Sequence, residues 1–411
     1  MCAEHSVPKK RQISSATLYL IAVVLGLISG YSDIAILQNL GLFISDVFIK
    51  IFKCISMPII ALSLIVTLSQ YHSEGKMRKI WQKALLYTIS TTIIAASIAC
   101  VLYQIIQPTN IGASANAAMP QEALNSNYFA HLANLIPSNI FSPFLEHQVI
   151  GVLLVGSIIG VGIRYIKDEF ARVTIGNFFK GAHGLFLVIT GWVVKVIPIG
   201  LFGFITTTVI QLKGGTNIGG LGGYLAVVVL ANLIQGFVIL PIWLKSNKIA
   251  PYTAMKGMLP ALSVAFFTKS SAGTLPLTIK TAEKNLNINP KIGHFVLPLC
   301  TTINMNGCAA FIFATVIYLM QNNGIAIDGW TMIGWILVAT IAAVGNAGVP
   351  MGCFFLSASL LSSMNVPITL LGVILPFYSI IDMIETALNV WSDSCVAKVV
   401  DEKAKHEMLI D

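Results

Sequence analysis

The sequence predicts an all-α polytopic membrane protein: eight transmembrane helices and two re-entrant helical hairpins, arranged as inverted repeats. Three observations lead there: the composition, the placement of basic residues, and two apolar stretches broken near their middles. Hydrophobic residues fill 56% of the 411 positions and charged residues only 10%, against about 25% charged in a soluble domain. Mean hydropathy is +0.81. Too little polar surface remains to cover a water-exposed body of this size. That excludes a soluble enzyme, a disordered chain and a nucleic-acid binder. The net charge of +8 is not gathered into a basic stripe; it sits in short clusters between apolar runs, as membrane topology places it.

A spanning helix needs about 20 predominantly apolar residues. The spans are 16–32, 43–70, 83–106, 149–166, 184–211, 220–244, 293–320 and 366–397. Lys9, Lys10 and Arg11 precede the first, which lacks a convincing small-residue cleavage site, so it reads as a retained helix rather than a signal peptide. Residues 256–281 and 333–364 differ. The first is interrupted by Thr268-Lys269-Ser270-Ser271-Ala272-Gly273-Thr274-Leu275-Pro276, the second by Gly345-Asn346-Ala347-Gly348-Val349-Pro350. Lipid cannot satisfy the backbone groups freed at such breaks, so each must lie in protein or line a cavity.

Lys and Arg are absent between Lys83 and Arg164 and between Lys291 and Lys398, and cluster at 9–11, 76–83, 164–180, 245–256, 280–291 and 398–405. Placing every cluster in the cytoplasm puts both termini inside. The first hairpin then opens from the cytoplasm and the second from outside, although reading both stretches as full spans also preserves parity in places. Residues 1–15 form a cytoplasmic N-terminus and 398–411 a cytoplasmic tail. A broken hairpin followed by a helix, repeated with opposite orientation, points to a transporter's binding site.

The eighth span carries the sharpest chemistry. Asp382, Glu385, Thr386, Asn389 and Asp393 stand at offsets 0, 3, 4, 7 and 11, which at about 100° per residue share one face. Three carboxylates on an apolar helix call for a cavity that holds cations. The alternative, a helix end already in water, fits only Asp393, five residues before Lys398. In the seventh span, Thr301-Thr302-Ile303-Asn304-Met305-Asn306-Gly307-Cys308 weakens the helix and frees carbonyls for coordination; interhelical hydrogen bonding is the competing reading. Tyr87, Ser90 and Thr91 share a face of the third span, a weak signal, since membrane hydroxyls often bond back to the preceding turn. Lys269 is the basic residue at a hairpin tip, and Asp382 or Glu385 is its expected partner. Lys195 snorkels.

The seven cysteines contain no C-x-x-C pair, which supports neither zinc nor a redox motif. An intramembrane enzyme finds little support. His5, His72, His131, His147, His183, His294 and His406 lie mostly at segment ends, and Asp46, the one aspartate available to pair with another for proteolysis, has Lys50 and Lys53 nearby. A channel lined by the same polar face is a further alternative.

At these residues the chain resembles the dicarboxylate/amino acid:cation symporter family. The resemblance covers nearly the whole chain and is most specific from Ala265 to Asp393. Thr268 to Pro276 is similar to the family's serine-rich first tip, Asn304 to Gly307 to its N-M-D-G signature, Gly345 to Pro350 to its second tip, and Asp382 to Asp393 to its ligand-binding helix. The resemblance implies a homotrimeric elevator-type carrier in a cell membrane, the bacterial inner membrane. Residues 16–250 would be mainly scaffold, with the third and sixth helices joining a transport core at 251–397. Asp382 would hold the substrate's amino group; Asn389, with Ser271 and backbone amides of both tips, its carboxylate. Ser270, Val349, Gly352, Glu385 and Thr386 complete the implied substrate set. Asp393 and Asn304, with carbonyls around Asn389 and Cys300, would hold one Na⁺, and carbonyls near Thr302 and the second tip another. Tyr87, Ser90, Thr91 and position 306 mark a further sodium site of the family.

Four departures refine this. The signature aspartate is Asn306, the third serine of the first tip is Ala272, Met351 and Cys353 stand where glycine is usual, and Glu385 stands where acidic-substrate carriers place an arginine. The segment Glu385 to Asn389, with Ser270-Ser271-Ala272, resembles the bacterial sodium/serine–threonine symporter branch. The expectation is therefore a non-enzymatic symporter that couples Na⁺, its co-transported ion, to a small neutral amino acid such as serine or threonine. An acidic or cationic amino acid is the alternative substrate. The partners are that substrate and the bilayer, with no nucleic acid.

Overall fold

The computed structural model describes residues 15–69, 76–111, 137, 139–145, 149–213, 219–346, 348, 351–364 and 366–406. All regular structure among them is helical: α1 (Ser15–Tyr31), α2 (Ala35–Ser69), α3 (Lys76–Ile106), α4 (Val149–Arg164), α5 (Glu169–Lys213), α6 (Gly219–Ile234), α7 (Leu240–Ser246), α8 (Pro251–Thr268), α9 (Ser271–Leu286), α10 (Pro290–Ile303), α11 (Asn306–Asn322), α12 (Gly329–Val344), α13 (Gly352–Ser363) and α14 (Thr369–His406). A single turn at Ser142–Leu145 precedes α4, and a π-helical turn, Gln235–Ile239, joins α6 to α7. The basic segment 9–11 and the last five residues of the expected tail lie outside the described residues.

Among the described residues five stretches are long and apolar enough to cross a bilayer: Arg78–Ile106, Glu169–Val193, Gly220–Ser246, Pro290–Asn322 and Leu370–Lys405. Shorter apolar helices accompany them. Several helices outrun the expected spans. The second begins at Ala35 rather than 43, the third at Lys76 rather than 83, the fifth at Glu169 rather than 184, and the last runs to His406 rather than 397. Hydropathy marks only the apolar part of a helix, while hydrogen bonding continues it through polar turns.

Both expected breaks are present. α8 ends where Lys269 takes a left-handed conformation, φ 56°, and α9 starts with the Ser270 hydroxyl accepting from Gly273 N–H at 3.0 Å. In the second break Gly348 and Met351 are left-handed, φ 64° and 63°. That conformation costs a residue with a Cβ roughly 1–2 kcal/mol, and Met351 adopts it where glycine was expected. The seventh span also divides. α10 stops at Ile303 and α11 starts at Asn306, leaving Asn304 and Met305 outside either helix.

Two groups of helices emerge. α2 lies along α5, with α1 on α5 and α4 on α2. The other group surrounds α11 with α3, α6, α12, α13 and α14, and packs α8, α9 and α10 together against α14. At one end of this second group the Asn289 N–H donates to Asp401 at 3.0 Å, and the Lys403 ammonium lies 5.0 Å from the Tyr87 ring centre. These contacts bring the basic ends of α3, α10 and α14 near one another.

Candidate functional site

The two broken segments meet tip to tip. Ala272 N–H donates to the Gly348 carbonyl, as does the Ser270 hydroxyl, both at 3.3 Å. A Cβ on Gly348 would lie 2.9 Å from the Thr301 carbonyl, so glycine is needed for the close approach as well as for its φ. A Cβ on Gly352 would overlap the Asn346 side-chain oxygen. The second tip thus sits on the first and on the C-terminal end of α10, where helix carbonyls lack intrahelical partners.

The middle of α14 closes the site. Asp382, Glu385, Thr386, Asn389 and Asp393 are all at most 5% exposed, so their shared face looks into protein along its length. The water-exposed reading of Asp393 is thereby corrected: it is 1% exposed. Asp382 accepts the Met351 N–H at 3.1 Å, tying the second tip to α14. Thr386 turns back to the Asp382 carbonyl at 2.7 Å. Ser271 is buried at the first tip and Ser270 half-buried. Val349 lies outside the described residues.

Lys269 reaches α14. Its ammonium donates to the Ser379 hydroxyl at 2.6 Å, one turn ahead of Asp382 on α14. Its charge also acts on Asp382, one of the two partners the sequence suggested. Glu385 is buried one turn on from Asp382. It faces Tyr378, whose hydroxyl donates to it at 3.3 Å, and the sulfur atoms of Cys308 and Cys353. Asn389 accepts from Gly307 N–H at 2.9 Å and donates to Cys308 Sγ at 3.5 Å, so its amide is committed to the start of α11.

Around Asp393 lies a second polar cluster. Its oxygens accept from Asn304 Nδ2 at 3.0 Å and from the Thr301 hydroxyl at 3.4 Å. No ion pair involves Asp393 among the described residues. A buried carboxylate met only by neutral dipoles is costly, and the break between α10 and α11 leaves oxygen ligands beside it. The Cys300 carbonyl accepts the Asn304 N–H at 2.7 Å and retains a second lone pair. Thr302 is half-buried and turns its hydroxyl back to Leu299. Together these groups offer hard oxygen ligands and one full negative charge, which suits a small hard cation.

Of the three residues on α3, only the Thr91 side chain reaches this cluster, donating to Asn304 Oδ1 at 3.1 Å and also to the Tyr87 carbonyl at 3.0 Å. The structure does not bring the Ser90 side chain in: it is exposed and bonds back to Leu86. The Tyr87 ring packs edge-on against Trp243. At the position of the family's further sodium site, which Asn306 put in doubt, an amide network is found. Asn306 donates to Asn304 Oδ1 at 2.9 Å and to Ser392 Oγ at 2.5 Å, and accepts from Gln235 Nε2 at 3.0 Å. Gln235 also donates to the Thr91 carbonyl at 3.1 Å. Gln235 is fully buried in the π-helical turn, which re-aims side chains by one position.

Sequence reasoning missed Gln235, Ser392, Tyr378 and Ser379. Asn232 and Gln235, one turn apart inside an otherwise apolar span, carried a signal that was readable. Ser392 and the other two did not stand out from ordinary hydroxyls. Cys308 and Cys353, 45 residues apart and so outside any C-x-x-C pattern, are joined in a disulfide. Asp46 pairs with Lys50 at 2.7 Å on an exposed surface, which removes it from any proteolytic pair.

The sequence profile of the sodium:dicarboxylate symporter family matches residues 16–403. Among curated proteins, the human neutral amino acid transporter B(0) is 25% identical, covering 86% of this chain and 71% of its own length. A putative sodium-dependent excitatory amino acid transporter, glt-4, of Caenorhabditis elegans is 27% identical over 89% of this chain and 83% of its own. Human excitatory amino acid transporter 2 is 25% identical over 95% and 79%.

Proposed function

Because this chain belongs to the sodium:dicarboxylate symporter family, we propose that it is a sodium-coupled symporter of a small neutral amino acid such as serine or threonine. The observation that carries this reading is the enclosed α14 face, with Asp382 under the meeting tips and Asp393 beside the broken α10–α11 junction. Each carboxylate suits a different cation: the substrate's ammonium at Asp382 and Na⁺ at Asp393. Relatives carrying neutral and excitatory amino acid transporter names support the class of substrate, an amino acid.

The contacts support an order of events. Met351 N–H on Asp382 fastens the second tip, so substrate enters when that contact opens. An ammonium at Asp382 then replaces the backbone donor with a charge-assisted bond, and the backbone amides of the closing tips meet the carboxylate. Na⁺ at Asp393 offsets a buried negative charge that Asn304 and Thr301 only solvate. Binding of either cation therefore lowers the electrostatic cost of closing the site, which couples the two. The helices α1, α2, α4 and α5 act as scaffold in a cell-membrane homotrimer, and the group around α11 and α14 moves.

Glu385 selects the side chain. A dicarboxylic substrate would bring its distal carboxylate toward this buried glutamate, and like charges at about 4 Å cost about 4 kcal/mol at an effective dielectric of 20. A neutral substrate avoids that cost. The Asn306–Gln235 network supplies dipoles where relatives of the acidic-substrate type are expected to hold a charge, so fewer sodium ions are coupled. Competition against labelled serine uptake in proteoliposomes near neutral pH tests this reading. Serine, threonine and, more weakly, alanine should compete, and aspartate should not. Strong inhibition by aspartate would overturn the neutral-substrate reading; inhibition by arginine but not serine would replace it with a cationic one.

A further inference from the structure

Cys308 in the first turn of α11 and Cys353 in the first turn of α13 are joined across the second break, with Cα atoms 5.3 Å apart. Each is 1% exposed. The Glu385 carboxylate lies at the same point: one of its oxygens and the two sulfur atoms all fall within 4.8 Å of one another. Among the described residues Glu385 Oε1 has no hydrogen-bond partner although the residue is 1% exposed. Two amides are directed at the sulfurs. Asn346 Nδ2 lies 2.8 Å from Cys308 Sγ and 3.5 Å from Cys353 Sγ, and Asn389 Nδ2 lies 3.5 Å from Cys308 Sγ. The Met305 thioether is 3.7 Å from Asn346 Nδ2.

We propose that, with the two cysteines reduced, Cys308, Cys353 and Glu385 form a site for a soft divalent cation of the Zn²⁺ or Cd²⁺ type, which fastens α13 to α11. Thiolates choose soft cations, whereas the Asp393 carboxylate with its hydroxyl and amide oxygen neighbours suits a hard one. The two positions therefore do not compete for one ion. Zinc–sulfur bonds of about 2.3 Å would set the sulfurs roughly 3.8 Å apart, reached by side-chain rotation from the joined position. Two thiols each lose a proton to water as the two metal–sulfur bonds form, and Glu385 gives its unpartnered oxygen as a third ligand. Asn346 and Asn389 hold the sulfurs by their amide N–H groups, the support that metal ligands ordinarily receive. The sulfurs are buried while the tips meet, so the ion enters when α13 parts from α11 and then holds the two together. The effect on uptake rests on the carrier reading above; the binding does not.

The test titrates Cd²⁺ into the purified full chain, kept reduced with a phosphine, and follows thiolate-to-cadmium charge-transfer absorbance. One Cd²⁺ per chain is expected. It should be lost in Cys308→Ser and in Cys353→Ser, kept in Cys54→Ser, and weakened in Glu385→Gln by at least the roughly 10–100-fold that loss of a mere supporting partner costs. Circular dichroism confirms that each variant remains helical. Equal Cd²⁺ binding by the helical Cys308→Ser/Cys353→Ser protein would overturn the site. In proteoliposomes, Cd²⁺ should stop uptake by the reduced wild type and spare the double variant. Undiminished uptake at saturating Cd²⁺ would overturn the fastening. Absence of uptake before Cd²⁺ is added would count against the carrier reading, with the titration still deciding the site.

Discussion

The α1–α2–α5 group and the α10–α11–α14 group are both apolar enough for a bilayer, yet they hold together by opposite means. In the stretch Glu169–Val193 of α5, 6% of the most apolar window is buried; in Pro290–Asn322, all of it is. Exposed Leu20, Ile36, Phe43, Phe170 and Trp192 give the first group an apolar surface too large for a water-soluble monomer. Its internal contacts are close approaches at small residues. A Cβ on Gly26 would lie 2.8 Å from Ile205 Cβ, and one on Gly203 2.7 Å from the Ser45 nitrogen. Lipid tails are as apolar as leucine, so such backbone proximity supplies what hydrophobic burial cannot. The second group is wired instead. Thr301, Asn304, Asn306, Ser392 and Asp393 bond to one another across α10, α11 and α14. Hydropathy therefore says that a helix belongs in the membrane, and the polar residues along it say whether its neighbour is lipid or protein.

The sharpest way to break this contrast is to remove charge from the wired group. Asp393→Asn leaves the amide and hydroxyl partners but no full charge for a cation. Apparent sodium affinity should fall roughly a hundredfold, and substrate affinity at saturating sodium much less. A sodium titration of uptake checks it; an unchanged curve removes Asp393 from the ion site. The glycine-packed group should respond in stability and not in affinity. Gly203→Val forces α5 off α2 and should destabilise the protein by about 1–3 kcal/mol, read as a lower melting temperature in detergent. The surviving molecules should keep wild-type sodium and substrate affinities, and a large affinity change would mean that the two groups are not separable.

The polar face of α14 was legible in the sequence because it rests on periodicity; the division into a scaffold and a core was implied only by the family resemblance. The α14 face followed from residue spacing, and both hairpin breaks followed from residues unable to continue a helix. What was hidden depends on three-dimensional neighbours. Ser90 and Thr91 are adjacent in sequence, but a helical step of about 100° sends one outward and the other to Asn304. Gln235 reaches Asn306 through a π-helical turn, which simple periodicity cannot foresee. Cys308 and Cys353 meet only because the second break folds α13 back onto α11.

Two smaller effects sharpen the account within the wired group. Glu385→Gln should narrow the preference for serine over alanine by up to about 1–3 kcal/mol, since a buried charged acceptor becomes an amide; the ratio of kcat/KM for the two substrates measures it, and an unchanged ratio would move specificity elsewhere. Thr91→Ala removes the hydroxyl bond to Asn304 and should cost about 0.5–1.5 kcal/mol of stability. Ser90→Ala should stay within about 0.5 kcal/mol of wild type. Equal losses in a paired thermal-denaturation measurement would contradict the placement of these two side chains.

The most direct measurement is uptake of labelled serine by proteoliposomes under an inward sodium gradient, beside the same vesicles in equimolar potassium. The account predicts accumulation above the external concentration with sodium, saturation with serine, and no accumulation in potassium. Serine that only equilibrates under both conditions, or that accumulates equally without sodium, would contradict the claim that the enclosed α14 face couples the two.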